Sequence, residues 1–467
     1  MENKEKFRCH FSKVFEEIFF AIFLIIIDVG RNLTNLIDKI SFEDLINNIN
    51  NVKGNLIIII ILLLIVFYRI NIWRKTWIYI DDKALVIEKD TLNKKVNTIA
   101  LSNISNVNLE QNLLERVLGT CKLKLDTNSK STADETDVKI ILKKDKALEL
   151  KNKILHLSIT KQTEEIEEKY DIKYSLKDVI LNGFYSASVG SIIYVVTLII
   201  LGVILHNEII ENIKNANIKS ILIYSIFFIG NAIYFLFKDI LKYYNFKVGR
   251  RGDKIYLSYG LADKKDYSIP VDKINGIIID SPVISRIANK KSLDIINIGI
   301  GDEKSEGAKL LLSGTDTEIR QKLKKILPEF NIPMDYEVKR QNKKALVLSI
   351  IYFAIFSLIV IPCSIKFSLI FLILIPIYIL VSLMKYFTLG LYYGEDGILI
   401  YRGIFRRIGK YFLYEKVQNI IIKSNVIAEK LKIRKMDVFI LASIINSTAS
   451  IGYYDNEIIE NINKRIR

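Results

Sequence analysis

The sequence predicts a membrane protein of six α-helical spans, arranged as three hairpins, that alternate with three β-rich domains. Each domain reads as an antiparallel sheet or barrel closed by one C-terminal helix. Three observations predict this. Long apolar runs recur in pairs, a soluble stretch of about 80 to 100 residues follows each pair, and the soluble stretches align with one another without a gap.

The clearest span is NLIIIIILLLIVFYRINIW, Asn55 to Trp73. Its apolar residues, at roughly −0.3 to −0.6 kcal/mol each, favour insertion by several kcal/mol in total. Tyr68, Arg69, Trp73, Arg74 and Lys75 suit an interfacial anchor at its end. Similar runs follow at Tyr185 to Leu205, Ile221 to Leu241, Leu346 to Ile361 and Ser368 to Leu383, each near the length that crosses about 30 Å of hydrocarbon. The sixth span is placed at Phe15 to Val29, where Glu16, Glu17 and Asp28 flank IFFAIFLIII; an interfacial helix or a signal peptide are its alternatives. Paired crossings return the chain to the side it left, so the soluble stretches share one face. Basic residues mark that face as cytoplasmic: Arg69, Arg74 and Lys75, then Lys238, Lys242, Arg250 and Arg251, then Lys339, Arg340, Lys343 and Lys344, against chiefly Arg31, Lys39, Lys53, Lys214 and Lys366 on the other side. The division reads 1–73 as first hairpin, 74–158 as first β domain, 159–241 as linker and second hairpin, 242–330 as second domain, 331–385 as linker and third hairpin, and 386–467 as third domain.

The 467 residues carry 67 Lys and Arg against 51 Asp and Glu, a formal charge of +16, and 50% are hydrophobic. A basic and apolar chain fits a membrane protein with basic loops. The excess of Lys, Asn and Ile matches the bias of an AT-rich genome, so the charge is discounted and no nucleic-acid partner is expected. Cys9, Cys121 and Cys363 are far apart, and His10, His156 and His206 have no partner at ligand spacing; no metal and no cofactor is expected. No nucleophile elbow, P-loop or HExxH helix occurs. SVGS lacks the elbow frame, and GIGDEKSEG lacks the Lys-Ser/Thr of a phosphate loop, so the chain is not read as an enzyme. Ser186, Gly190 and Ser191 form a small-residue ridge for helix packing. Five spans hold no charge in their interiors, and Asn231 is their main polar intruder; this counts against an ion-coupled carrier.

The repeat is seen in TIALSNISNV (98–107), SIPVDKINGI (268–277) and YFLYEKVQNI (411–420). The copies align at constant offsets of 170 and 313. Leu85 falls on Ile255 and Ile398, Val107 on Ile277 and Ile420, and Leu123 on Leu293 and Met436. Only apolar spacing is held in common, as in a repeated packing unit. Alternating segments such as IYLSYG and LDIINIGI read as strands. DKALELKNKILHL, TDTEIRQKLKKIL and DNEIIENINKRI read as the closing helices, with acid in their first turns.

On TIALSNISNVNLEQNLLERVLG, its copies SIPVDKINGIIIDSPVISRIAN and YFLYEKVQNIIIKSNVIAEKLK, and the basic start FRCHFSKVFEEIFF, the chain resembles the bacterial pleckstrin-homology-like membrane proteins. The resemblance is to the arrangement with three such domains, and it covers nearly the whole chain. The second and third copies depart from it at Gly119, where they carry Asn289 and Lys432. A pleckstrin-like fold implies basic strand-to-strand turns that hold a lipid phosphate; here these are Lys94 and Lys95, Lys264 and Lys265, and Arg406 and Arg407. The looser expectation is contact with the anionic inner leaflet, at about 1 kcal/mol per charge. The expected function is a non-catalytic scaffold in the cell membrane whose partner is another membrane protein, of the same domain type in one variant, because three similar surfaces bind multivalently. A transporter or exporter component and an anionic-lipid sensor are the alternatives.

Overall fold

Residues 6–19, 23, 49–91, 93–127, 138–158, 170–188, 190, 193–194, 196–197, 200, 230, 237–297, 308–332, 337–366, 368–442 and 447–466 are described by a computed structural model of the chain. Two units divide it, residues 1–129 with 137–163 and residues 130–136 with 164–467.

In the first unit Phe7 bridges Ile78, residues 12–19 are helical, and a 26-residue helix α1 (Ile49–Arg74) leads into the strands. Strands β1 (Thr76–Asp81), β2 (Ala84–Asp90) and β3 (Lys94–Ala100) form one antiparallel sheet in that order. Strands β4 (Ile104–Gln111), β5 (Thr120–Thr127) and β6 (Val138–Lys143) pair in sequence, with a short helix α2 (Leu113–Val117) between the first two. The period-2 pleat turns alternate side chains inward. Val107 and Leu109, Leu123 and Leu125, and Ile140 and Leu142 are therefore buried together. Helix α3 (Lys144–Ser158) closes this core with Ala147, Leu150 and Ile154, spaced three and four apart on one face.

The second unit holds two more copies of the same plan. Strand β7 (Ile172–Lys173) and helix α4 (Leu176–Ser186) precede β8 (Lys247–Arg251), β9 (Lys254–Tyr259) and β10 (Lys264–Pro270). Then come β11 (Ile274–Pro282), the short α5 (Val283–Ile287), β12 (Lys291–Asn297), β13 (Ala308–Gly314) and the closing helix α6 (Asp316–Ile326). Thr315 caps α6 reciprocally: its Oγ1 accepts from the Glu318 amide at 3.3 Å and its own amide donates to Glu318 Oε2 at 2.8 Å. The third copy follows β14 (Lys339–Arg340) and helices α7 (Lys344–Lys366) and α8 (Leu374–Thr388). It comprises β15 (Gly390–Tyr393), β16 (Gly397–Arg402), β17 (Arg406–Leu413), β18 (Val417–Lys423), the short α9 (Val426–Lys430), β19 (Ile433–Ile440), β20 (Thr448–Asp455) and α10 (Asn456–Ile466).

Strand registers superpose across copies. Leu85 faces Ile99, Ile255 faces Ile269, and Ile398 faces Phe412. Val107 faces Leu125, Ile277 faces Ile295, and Ile420 faces Val438. Each of the latter ladders slips at one aligned place, Ile104/Asn106, Ile274/Gly276 and Val417/Asn419, the mark of a shared β-bulge.

The sequence departure at Gly119 leaves the backbone unchanged. Gly119, Asn289 and Lys432 have φ of 65°, 52° and 58°. Each ends its short helix in the left-handed region, its amide donating to Arg116, Arg286 and Glu429 carbonyls respectively. Asn tolerates that conformation through its short polar side chain; Lys holds it under strain.

The expected six spans are reduced to two among the described residues, Lys344–Lys366 and Leu369–Thr388, which alone meet the length and composition needed to cross a membrane. The second opens with a 3-10 turn, Leu369–Ile373, before α8, because Ser368 caps it and Pro376 falls in its first α-helical turn. The segment from Asn55 to Trp73 does lie on one long helix, α1, with Ile60, Leu64 and Phe67 exposed. Most of Phe15–Val29, Tyr185–Leu205 and Ile221–Leu241 lies outside the described residues.

Candidate functional site

Copies two and three of the second unit share a sheet. β11 pairs antiparallel with β17, from Ile277 opposite Tyr411 to Pro282 opposite Arg406, giving the strand order β13-β12-β11-β17-β16-β15-β14. The cores interlock accordingly. Leu399, Tyr401 and Tyr411 are buried among second-copy side chains, and Ile278 and Ile296 among third-copy ones. At Gly276 a Cβ would stand 2.7 Å from Phe412 Cδ1 and 2.9 Å from the Tyr411 carbonyl oxygen, so the close passage of β17 requires glycine there.

Polar contacts pin the seam. Arg406 donates from Nε and Nη2 to Asp280 Oδ1 and Oδ2 at 2.7 and 2.6 Å, a bidentate fork on a carboxylate whose side chain is 2% exposed. That hydrogen bonding holds the guanidinium above its ordinary pKa. Arg286 Nη2 donates to the Ile404 carbonyl at 2.9 Å, and Asn275 Nδ2 to that of Leu441 at 2.6 Å. On β12, Asp294 faces Lys309 at 2.5 Å, and burial pushes its carboxyl up.

Two aligned positions explain why an arginine is drawn across. In copy one they are Glu110 and Lys124, an internal pair at 2.7 Å. In copy three they are Lys423 and Asp437, the same pair reversed, at 2.6 Å. Burial works to raise the Asp437 carboxyl, but hydrogen bonds from Lys423 and Ser450 outweigh it and leave it below the usual range. In copy two both positions are acidic, Asp280 and Asp294. Such a pair needs cations from elsewhere, and they come from Lys309 on β13 and Arg406 of the next copy.

The six basic residues expected to meet lipid phosphate stand at the starts of β3, β10 and β17. Strand register makes Lys94, Lys264 and Arg407 equivalent, while Arg406 matches Asn93 and Asp263. Lys94 is 81% exposed and 3.0 Å from Asp90; their hydrogen bond lowers the carboxyl and raises the ammonium. Lys95 is exposed beside it. Lys264 lies 3.5 Å from Asp266, next to Lys265. Arg407 stacks over the Tyr401 ring at 4.3 Å. Arg406 is committed through a bidentate fork to Asp280, a residue of another copy whose side chain is buried. Sequence reasoning passed over Asp280, Asp294 and the pairs aligned with them; the signal was present as a swap of charge at fixed offsets. Among the described residues no group of three or more His, Cys, Asp or Glu is placed to hold a metal ion.

A helix roots each copy near its short helix. Glu16 Oε1 accepts from Asn112 Nδ2 at 2.9 Å and Lys122 Nζ at 3.0 Å. Asn182 on α4 accepts from the Ser313 amide and hydroxyl at 3.0 and 2.9 Å. In copy three Tyr352 OH on α7 accepts from Asn425 Nδ2 at 2.9 Å, Lys344 Nζ donates to the Leu431 carbonyl at 3.0 Å, and Leu348 packs on Ala428 and Ile433.

Comparison with known proteins agrees with this triple plan. The family described as the bacterial PH domain matches at residues 22–158, 181–327 and 346–466. Each match takes in the whole of its closing helix. The UPF0699 transmembrane protein YdbT of Bacillus subtilis (strain 168) is 24% identical over 366 residues, covering 72% of this chain and 73% of that protein. No solved structure matches significantly.

Proposed function

Because the chain belongs to the bacterial PH domain family, we propose that it is a non-catalytic, multi-pass scaffold of the cell membrane. Its three PH-like domains face the cytoplasm and hold membrane proteins together. The transmembrane name of its Bacillus relative supports the membrane setting, as do α7 and α8, whose outward surfaces are apolar. One observation carries the assembly role: β17 of one copy completes the sheet of another by main-chain pairing. A domain that takes up a like domain along its strand edge needs no pocket and no reactive group, only a partner with a strand to offer. The six-span topology belongs to this reading, since it leaves all three domains on one side of the bilayer.

The test is crosslinking in intact cells, then purification in mild detergent and mass spectrometry. A membrane protein retained in near-stoichiometric amount, a second copy included, is the expected result. A monomer carrying only lipid would sink the assembly role. A second reading, anionic-lipid sensing, is favoured by the exposure of Lys94 and Lys264 at aligned hairpin positions. It calls for loss of binding to phosphatidylglycerol vesicles when Lys94, Lys264 and Arg407 are replaced by Ala.

A further inference from the structure

We propose that β18 is a receiving edge for β3 of a second copy of this chain, taken up in the register that β17 adopts on β11. The inference rests on the assembly reading above. Among the described residues, strands β3 and β18 each end a three-stranded sheet, in the orders β1-β2-β3 and β18-β19-β20. They are the counterparts of β17 and β11, which pair within the chain. One chain thus carries a donor edge in its first copy and an acceptor edge in its third.

The exposure of aligned side chains shows what is uncovered. On β11, Ile278 and Ile279 are 8% and 5% exposed; their counterparts on β18, Ile421 and Ile422, are 39% and 37% exposed. The donor side matches. Tyr411 of β17 is 2% exposed, whereas its counterpart Thr98 is exposed, and Val96 on the same strand is 59% exposed. Two adjacent isoleucines on a bare strand edge are a pairing template.

Charge and bulk identify the occupant. β11 presents two acids and draws in Arg406, but β18 presents Lys423 already paired with Asp437. It needs no imported charge, and the residue at the Arg406 position, just before β3, is the neutral Asn93. The transposed register sets Lys95 opposite Lys423, a like-charge contact that the Asp437 carboxylate paired with Lys423 has to offset. Asn419 replaces Gly276, and Ile99 replaces the Phe412 ring that a Cβ there would strike; only the carbonyl matching that of Tyr411 must shift. Transposing the observed register sets Ile420 opposite Thr98, Ile421 opposite Asn97 and Ile422 opposite Val96 of the second copy. Since donor and acceptor edges differ, the contact is head-to-tail and repeats from chain to chain until it closes.

The experiment uses the full chain with Cys363→Ser, which removes the exposed thiol and leaves the buried Cys9 and Cys121. Val96→Cys and Ile422→Cys are placed together in one chain, and separately in two chains with different tags, and oxidised in native membranes. Facing residues bring Cα atoms to about 4.5–5.5 Å, within disulfide reach. The double variant should give a ladder of oligomers, and the mixed chains a dimer with both tags. Yield should exceed about tenfold that of Val96→Cys with Ile421→Cys, which lies one residue off register on the other face. No dimer, equal yields from both pairs, or capture of Ile422→Cys by a different protein overturns the inference. A foreign membrane partner that co-purifies while no such dimer forms would do so and leave the assembly reading standing.

Discussion

Strands β11 and β18 share a frame, INGIIID against VQNIIIK, the same bulge and the same partner register on their inner side. Every residue of β11 is buried, while β18 is exposed along most of its length. The two strands differ in what lies against them, not in how they fold. Burial here is a property of the neighbour, and a hydrophobic triplet repeated at a fixed offset has opposite energetic roles in two places.

The sharpest way to break this comparison is at the imported charge. Arg406→Ala leaves the Asp280 carboxylate buried without its fork; the expected loss is about 3–4 kcal/mol. It is read from the denaturant midpoint of the detergent-purified chain. Asn93→Ala, at the aligned place in copy one, should move that midpoint within error, and similar effects at both sites would mean the seam does not depend on the ion pair. Next is the isoleucine pair. Ile279→Ala should cost about 3 kcal/mol through the cavity it opens, and Ile422→Ala less than about 1 kcal/mol in the isolated chain. Equal losses would show β18 to be covered after all.

A pH profile sharpens the seam further. Lys410 stands opposite Ile278, and burial, with a smaller push from Arg402, lowers its pKa to about 8. The unfolded chain, with an ordinary lysine near 10.5, binds more protons between those values, so stability rises as pH climbs from about 8 to about 10.5. The rise should be about 3 kcal/mol. Lys410→Met should remove it and be more stable at neutral pH; an unaltered slope would assign the rise to other groups. The smallest effect is at the short-helix ends. Lys432→Gly should gain about 1 kcal/mol, Asn289→Gly a few tenths, and Gly119→Ala should lose about 1 kcal/mol. A thermal shift series on the three variants reads that order directly.

The repeat was legible because apolar spacing records the inward face of each strand, and Val107, Ile277 and Ile420 declare it plainly. The closing helices were equally open to reading from their acids and caps. The short helices α2, α5 and α9 went unread: five residues are too few for a helical period to show. The departure at Gly119 was no sign of a different backbone, since αL geometry is one that Asn289 and Lys432 also adopt. Nothing in the sequence announced that β17 would leave its own copy's second sheet to join β11. Edge pairing is made by amides and carbonyls that every residue carries; only the replacement of an acid–base pair by two acids, Asp280 and Asp294, hinted at it. The spans were read from hydropathy alone, and of the six only α7 and α8 are long and apolar enough among the described residues.

The foot of copy three has a mechanical consequence. Between β14 and α7 lie three residues, and of these Asn342 is bound to the Tyr453 carbonyl through its amide and to Asp455 through its side chain. The helix then grips α9 through Tyr352, Lys344 and Leu348. No slack remains there to act as a hinge. α7 and α9 are therefore joined as one rigid foot, and whatever displaces α7 is passed to α9 and to β18 before it.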